Sequence, residues 1–115
     1  MNRELKAIFG DGGIVVGNQP IPTAHLKYEG KAERYIVWSI TGTTPALSGD
    51  DEQLYGITTV DVDIYCKDNY LEFLAEVKRL MKLNEWIWTE DSPEMYEEDT
   101  GLYHITASFE KEREL

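Results

Sequence analysis

Apolar and polar residues alternate through Val60-Asp61-Val62-Asp63-Ile64-Tyr65-Cys66, the period-two pattern of a strand with one dry and one wet face. The pattern predicts a strand over residues 54–66. Its register is strongly specified, because a slip of one residue would bury two aspartates. Residues 35–41, rich in β-branched and aromatic side chains, predict another strand. Residues 86–89 predict a third, broken by Asp91-Ser92-Pro93. Residues 102–111 predict the last, with Tyr103, Ile105, Ala107 and Phe109 on one face and His104, Thr106, Ser108 and Glu110 on the other.

A different spacing runs through Leu71, Leu74, Val77, Leu80 and Met81, three and four residues apart, with Phe73 at the edge of the stripe. It predicts an amphipathic helix of about 15 residues, roughly 22 Å long. Asp68 or Asn69 is its cap, Asn69 and Glu72 have capping-box spacing, and Asn84 is the stop. Lys78, Arg79 and Lys82 fall in the last turns, where the helix dipole favours cations. Residues 1–9 predict a short helix with Leu5, Ile8 and Phe9 on one side, ended by Gly10-Asp11-Gly12-Gly13. Residues 14–34 read as an extended, irregular excursion, 42–53 as a polar loop, and 94–101 as an acidic connection. The order predicts a single α+β domain, with a largely antiparallel sheet of about four strands. One long helix packs on a face of that sheet, beside the short N-terminal helix.

A chain of 115 residues buries roughly two thirds of its unfolded surface around one core. Acids outnumber bases 22 to 11, and the formal charge of −11 repels phosphate backbones, which disfavours nucleic-acid binding. A lone cysteine, Cys66, forms neither an intrachain disulfide nor a metal–thiolate pair. Residues 1–9 hold no apolar stretch of signal-peptide length, and nowhere do about 18 apolar residues run together, so no membrane span is expected.

Asp61 and Asp63 lie two apart on one strand face, a spacing that suits a shared cation or an acid–base pair. No desolvating pocket or third hard ligand lies nearby in sequence, so a solvated face or a subunit interface is the simpler reading. His104, on the polar face of the last strand, can look across at these aspartates; a metal site needs three or four converging ligands. Cys66 reads as a core residue. No serine sits in a nucleophile elbow, and the glycines near position 10 lack phosphate-loop spacing. Trp38, Trp86 and Trp88, with no basic residues interleaved, read as packing rather than a base-stacking platform. The acids from Glu90 to Asp99 lack the order of a calcium loop and read as a solvated or inter-subunit rim. No catalytic, cofactor or metal residue is assigned. The interface candidates are Asp50, Asp51, Glu52, Asp61, Asp63, Glu97, Glu98, Asp99 and His104.

In segments 34–38, 55–65, 70–83 and 94–104 the chain resembles the small tail-terminator (tail-completion, head–tail joining) proteins of long-tailed bacteriophages and prophages. The resemblance spans roughly residues 25–112 and rests on structural patterns, not on catalytic motifs. It implies a compact α+β protein without an active site or cofactor, made in the host bacterial cytoplasm and carried in the virion tail. There it forms a ring with sister copies, commonly a hexamer, that caps the tail tube and offers a surface to the head. Its partners are then itself, the tail-tube protein and a head-completion protein. Acids at 50–52 or 90–99 that lined the bore would keep exiting DNA from sticking. Head-completion and minor tail proteins have a similar size. The alternatives from other classes are a small acidic inhibitor or immunity-type module docking on a basic partner, and an enzyme.

Overall fold

The alternating segment lies at the centre of a sheet. A computed structural model describes residues 2–10, 13–46 and 55–114. Along the chain run α1 (Asn2–Phe9), β1 (Ile14–Val16), β2 (Gln19–Ile21), β3 (Thr23–His25), β4 (Arg34–Ala46), β5 (Tyr55–Cys66), α2 (Leu71–Leu83), β6 (Ile87–Asp91), β7 (Met95–Glu97) and β8 (Leu102–Glu114). The strand order is β3-β4-β5-β8-β6, with β7 also on β8, while β1 and β2 form a separate ribbon. β5 is antiparallel to both neighbours over its whole length, and its side chains alternate strictly between buried and half-buried.

Three apolar rows cross the sheet in register. Ile36, Ile64 and Ile105 form one, Trp38, Val62 and Ala107 the next, and Ile40, Val60 and Phe109 the third. Onto this dry face α2 lays Phe73, Leu74, Val77 and Met81, α1 lays Leu5, Ile8 and Phe9, and the ribbon adds Val16 and Ile21. Leu71 stays outside, 62% exposed, so the buried stripe of α2 is centred closer to Phe73 than the spacing suggests. The N-cap is Tyr70 rather than Asp68 or Asn69 and has no side-chain cap bond. One residue earlier, Asn69 Oδ1 accepts the Leu71 N–H at 3.0 Å, and the Asn84 side chain closes the other end by donating to the Leu80 carbonyl at 2.8 Å. Lys111 Nζ donates to Glu4 Oε1 at 2.6 Å, and Arg113 also binds the Glu4 carboxylate, fastening α1 to the end of β8.

The expectation of a four-stranded sheet under one long helix is not met. The described residues form two short helices and eight strands, six of them in one sheet, so the protein is mostly sheet. The unexpected strands β1, β2, β3 and β7 have three residues each, too few to display a period, and they exist by pairing with something longer. The stretch 14–34, expected to be irregular, contains three of them. Gly17 and Asn18, with φ of +55° and +67°, make the two-residue turn of the β1–β2 hairpin, a conformation that favours these residue types. β3 runs parallel to β4, and Leu26, at φ +69°, begins the return to the start of β4.

β4 continues past Thr41 to Ala46, where a polar loop was expected. A bulge between Ile40 and Gly42 shifts its register, and Thr41–Thr59 and Thr43–Thr58 hydroxyl bonds of 2.7 and 3.2 Å join it to β5. β4, β5 and β8 thereby extend into an arm. The radius of gyration, 15.3 Å, exceeds the roughly 13 Å of a rounded domain of this length. Asp50, Asp51 and Glu52 lie outside the described residues.

Phe109, 1% exposed, fills the middle of the dry face. Phe109→Ala is expected to cost about 3–5 kcal/mol in urea unfolding; a loss under about 1 kcal/mol would show that the face is not packed as described.

Candidate functional site

The reverse face of the sheet carries the polar residues, and neither helix covers it. Register places Asp61 between Ser39 and Ser108, Asp63 between Val37 and Thr106, and Tyr65 between Tyr35 and His104. The side chains bond along these rows. Ser108 Oγ donates to Asp61 Oδ1 at 2.8 Å, and Thr106 Oγ1 donates to Asp63 Oδ1 at 2.5 Å. His104 Nε2 lies 3.2 Å from the same Asp63 oxygen, and its Nδ1 is 3.9 Å from Glu97 Oε2.

Burial alone would raise the Asp63 carboxyl, but the bonds from His104 and Thr106 outweigh it and hold the group below its ordinary value. The carboxylate is thus engaged by fixed neighbours rather than poised to exchange a proton near neutral pH. Asp61, Asp63 and His104 do share one face, as the alternation suggests. They do not close around an ion, and no group of three histidine, cysteine or acidic side chains with metal-binding geometry occurs among the described residues. Glu97 joins His104 from β7, whereas Glu98 and Asp99 sit exposed in the turn before β8.

An aromatic row crosses the same face. Tyr28 stacks on Tyr35 with centroids 4.2 Å apart, Tyr35 on Tyr65 at 4.5 Å, and Tyr65 on His104 at 4.1 Å, all within about 21° of parallel. Burial raises the Tyr65 hydroxyl to about 12, reinforced by the negative charge of Asp63, by Tyr35 and by Glu97. Tyr35 is raised for the same leading reason. Sequence reasoning placed Tyr65 and His104 on the wet face but missed the row, because Tyr28 arrives from the β3–β4 connection and Tyr35 is matched to Tyr65 only by strand register. The signal was a tyrosine at the start of one strand and at the end of the next, which an antiparallel pair sets side by side.

The remaining candidates separate. Cys66 is fully buried with Sγ 3.2 Å from Asp68 Oδ1, and burial pushes its thiol up, so it is an unreactive core residue. Trp86 is buried, but Trp88 is 49% exposed, its Nε1 donating to Asp91 Oδ1 at 2.9 Å and Lys78 Nζ lying 4.2 Å from the ring centroid. The two tryptophans therefore do not pack into one core: Trp88, although paired with Phe109, lies on the edge strand β6, where Lys78 of α2 reaches its ring. A surface depression of about 460 Å³ beside the start of α2 is lined by Tyr70, Tyr103 and Glu94 among others, with the Tyr70 hydroxyl donating to Glu94 at 2.7 Å.

This arrangement is a broad surface of internally bonded polar groups and stacked rings. Comparison of the chain with protein-family models and with curated proteins finds no match.

Because Asp63 is held below its unfolded value, its stabilisation is complete above that value and disappears as pH falls through the folded one. Asp63→Asn should cost about 1–2 kcal/mol at neutral pH and lose less further stability than wild type below about pH 4 in urea titrations; equal acid sensitivity in both would contradict the bonding described. Tyr65 has the opposite sign: its contribution is complete below pH 10 and fades as pH climbs toward 12. Tyr65→Phe should therefore lose less stability than wild type across that window, read by circular dichroism, and an identical alkaline profile would be the contrary result.

Proposed function

We propose that this protein is a structural component of a phage or prophage tail, a terminator that caps the tail tube as a ring and presents the surface to which the head attaches. The observation that carries the reading is convergence. The segments that resemble such proteins supply the start of β4, all but the last residue of β5, the length of α2, and β7 with the turn and the first three residues of β8. The strand segments reach the end of the sheet that holds the aromatic row, and the ring of Tyr70, just before α2, lies 6.5 Å from that of Tyr103 there. That end has an open polar face whose carboxylates are already bonded to neighbouring side chains. A partner meeting it encounters a preformed surface and desolvates few free charges.

A ring needs head-to-tail contacts between different surfaces of one protomer, which close by rotation. An elongated sheet with distinct edges and a protruding arm provides such different surfaces. The formal charge of −11 suits a passage through which DNA moves without adhering.

The test is assembly on tail tubes formed by the tube protein of the same genome, viewed by electron microscopy and paired with retention on immobilised DNA. The expected outcome is a ring at one end of each tube, with no DNA retention at physiological ionic strength. Bare tube ends at saturating protein, or tight DNA retention, would overturn the reading.

A further inference from the structure

β8 has two edges. β5 takes one, so β6 and β7, which both pair with β8, lie in succession along the other. No strand pairs with their outer side among the described residues, and this is the open edge of the six-stranded sheet. Edge strands are usually blunted, because their free N–H and C=O groups invite another strand. Here the edge is apolar: Ile87, Trp88, Met95 and Tyr96 are 64, 49, 45 and 56% exposed, half of all the large exposed hydrophobic residues among those described. Four successive residues of β6, Ile87 to Glu90, are exposed on both faces of the strand, although Lys78 of α2 lies over Trp88 on one of them.

The charge around this edge is one-sided. Residues 85–99 hold seven carboxylates and no lysine or arginine. A second copy pairing edge to edge would set these acids against their equals, which is destabilising across a strand pair. The opposite edge, β3 with the connection after it, is neutral, Lys27 and Lys31 offsetting Glu29 and Glu33, and offers no basic strand. The occupant that complements the edge therefore comes from another protein. The chain itself displays the chemistry: Lys78 lies over the Trp88 ring at 4.2 Å and donates to Asp91 Oδ2 at 2.8 Å. A second cation arriving along the strand finds Glu90 exposed on the other face, since Glu90 pairs with Ser108 of the wet face and Trp88 with Phe109 of the dry face.

We infer that the β6–β7 edge is a docking site for an extended, basic segment of a partner protein, which adds as a further strand and alternates lysine or arginine with apolar side chains. Backbone bonds would supply register, Ile87 and Trp88 the apolar contact, and the surrounding carboxylates the selection against acidic strands and against self-pairing. The inference does not depend on the tail-terminator reading, because it concerns an edge any partner could use.

The test uses the full-length protein and synthetic peptides of about eight residues. One alternates lysine with valine and leucine, a second replaces lysine by glutamate, and a third keeps the basic sequence with alternate backbone nitrogens methylated. The basic peptide should slow amide exchange and shift resonances at residues 87–97, bind at least about tenfold more tightly than the other two, and weaken with salt. Glu90→Lys and Trp88→Ala should each weaken it several-fold with the circular dichroism spectrum unchanged. If the methylated peptide binds equally well, or shifts spread over the acidic surface without protection at β6 and β7, only diffuse charge attraction is present and the docking site is refuted. Absence of binding by the basic peptide refutes it as well.

Discussion

Val62 and Asp63 are adjacent in the chain yet meet opposite environments, and that opposition organises the molecule. Val62 sits between Trp38 and Ala107 beneath α2, while Asp63 sits between Val37 and Thr106 on the open face. Strand geometry permits no compromise: turning β5 over would put aspartates under the helix and valines in water. The dry face holds α1, α2 and the β1–β2 ribbon through burial, and the wet face is thereby released from packing duties. Its carboxylates, hydroxyls and rings bond to each other across strands. The core and the functional surface are two readings of one strand register.

Where a segment had enough length to show its period, its nature could be read directly. The facing of β5 and β8, and the helix over residues 71–83, follow from spacings of two and of three to four. The architecture as a whole did not follow. Three-residue strands carry no period, and β3 and β7 form only because β4 and β8 present free edges to them. The Gly17-Asn18 turn was a legible signal in a stretch whose two prolines, Pro20 and Pro22, argue against regular structure. β4 outran its expected end because threonine pairs with β5 carried it past a bulge, in a segment whose glycine and proline argue locally for a loop.

The site was legible in part for the same reason. Asp61, Asp63 and His104 share a face because their spacing demands it. The tyrosines that frame them depend on register and on a loop returning from a short parallel strand, neither of which a local pattern encodes. The exposure of Trp88 likewise depends on its place on the edge strand, which a local pattern does not reveal. Function at such a surface is distributed: bonded acids and stacked rings on the face, exposed apolar side chains and free carboxylates at the edge.

The claim that β5 holds both faces together is tested most directly by native-state amide hydrogen exchange under increasing denaturant. The account predicts that the amides of Val60, Val62 and Ile64 exchange only with global unfolding, together with Val77 and Met81 of α2, while β3, β6 and β7 open earlier. Exchange of β5 through a local opening that leaves β6 or β7 protected would contradict it.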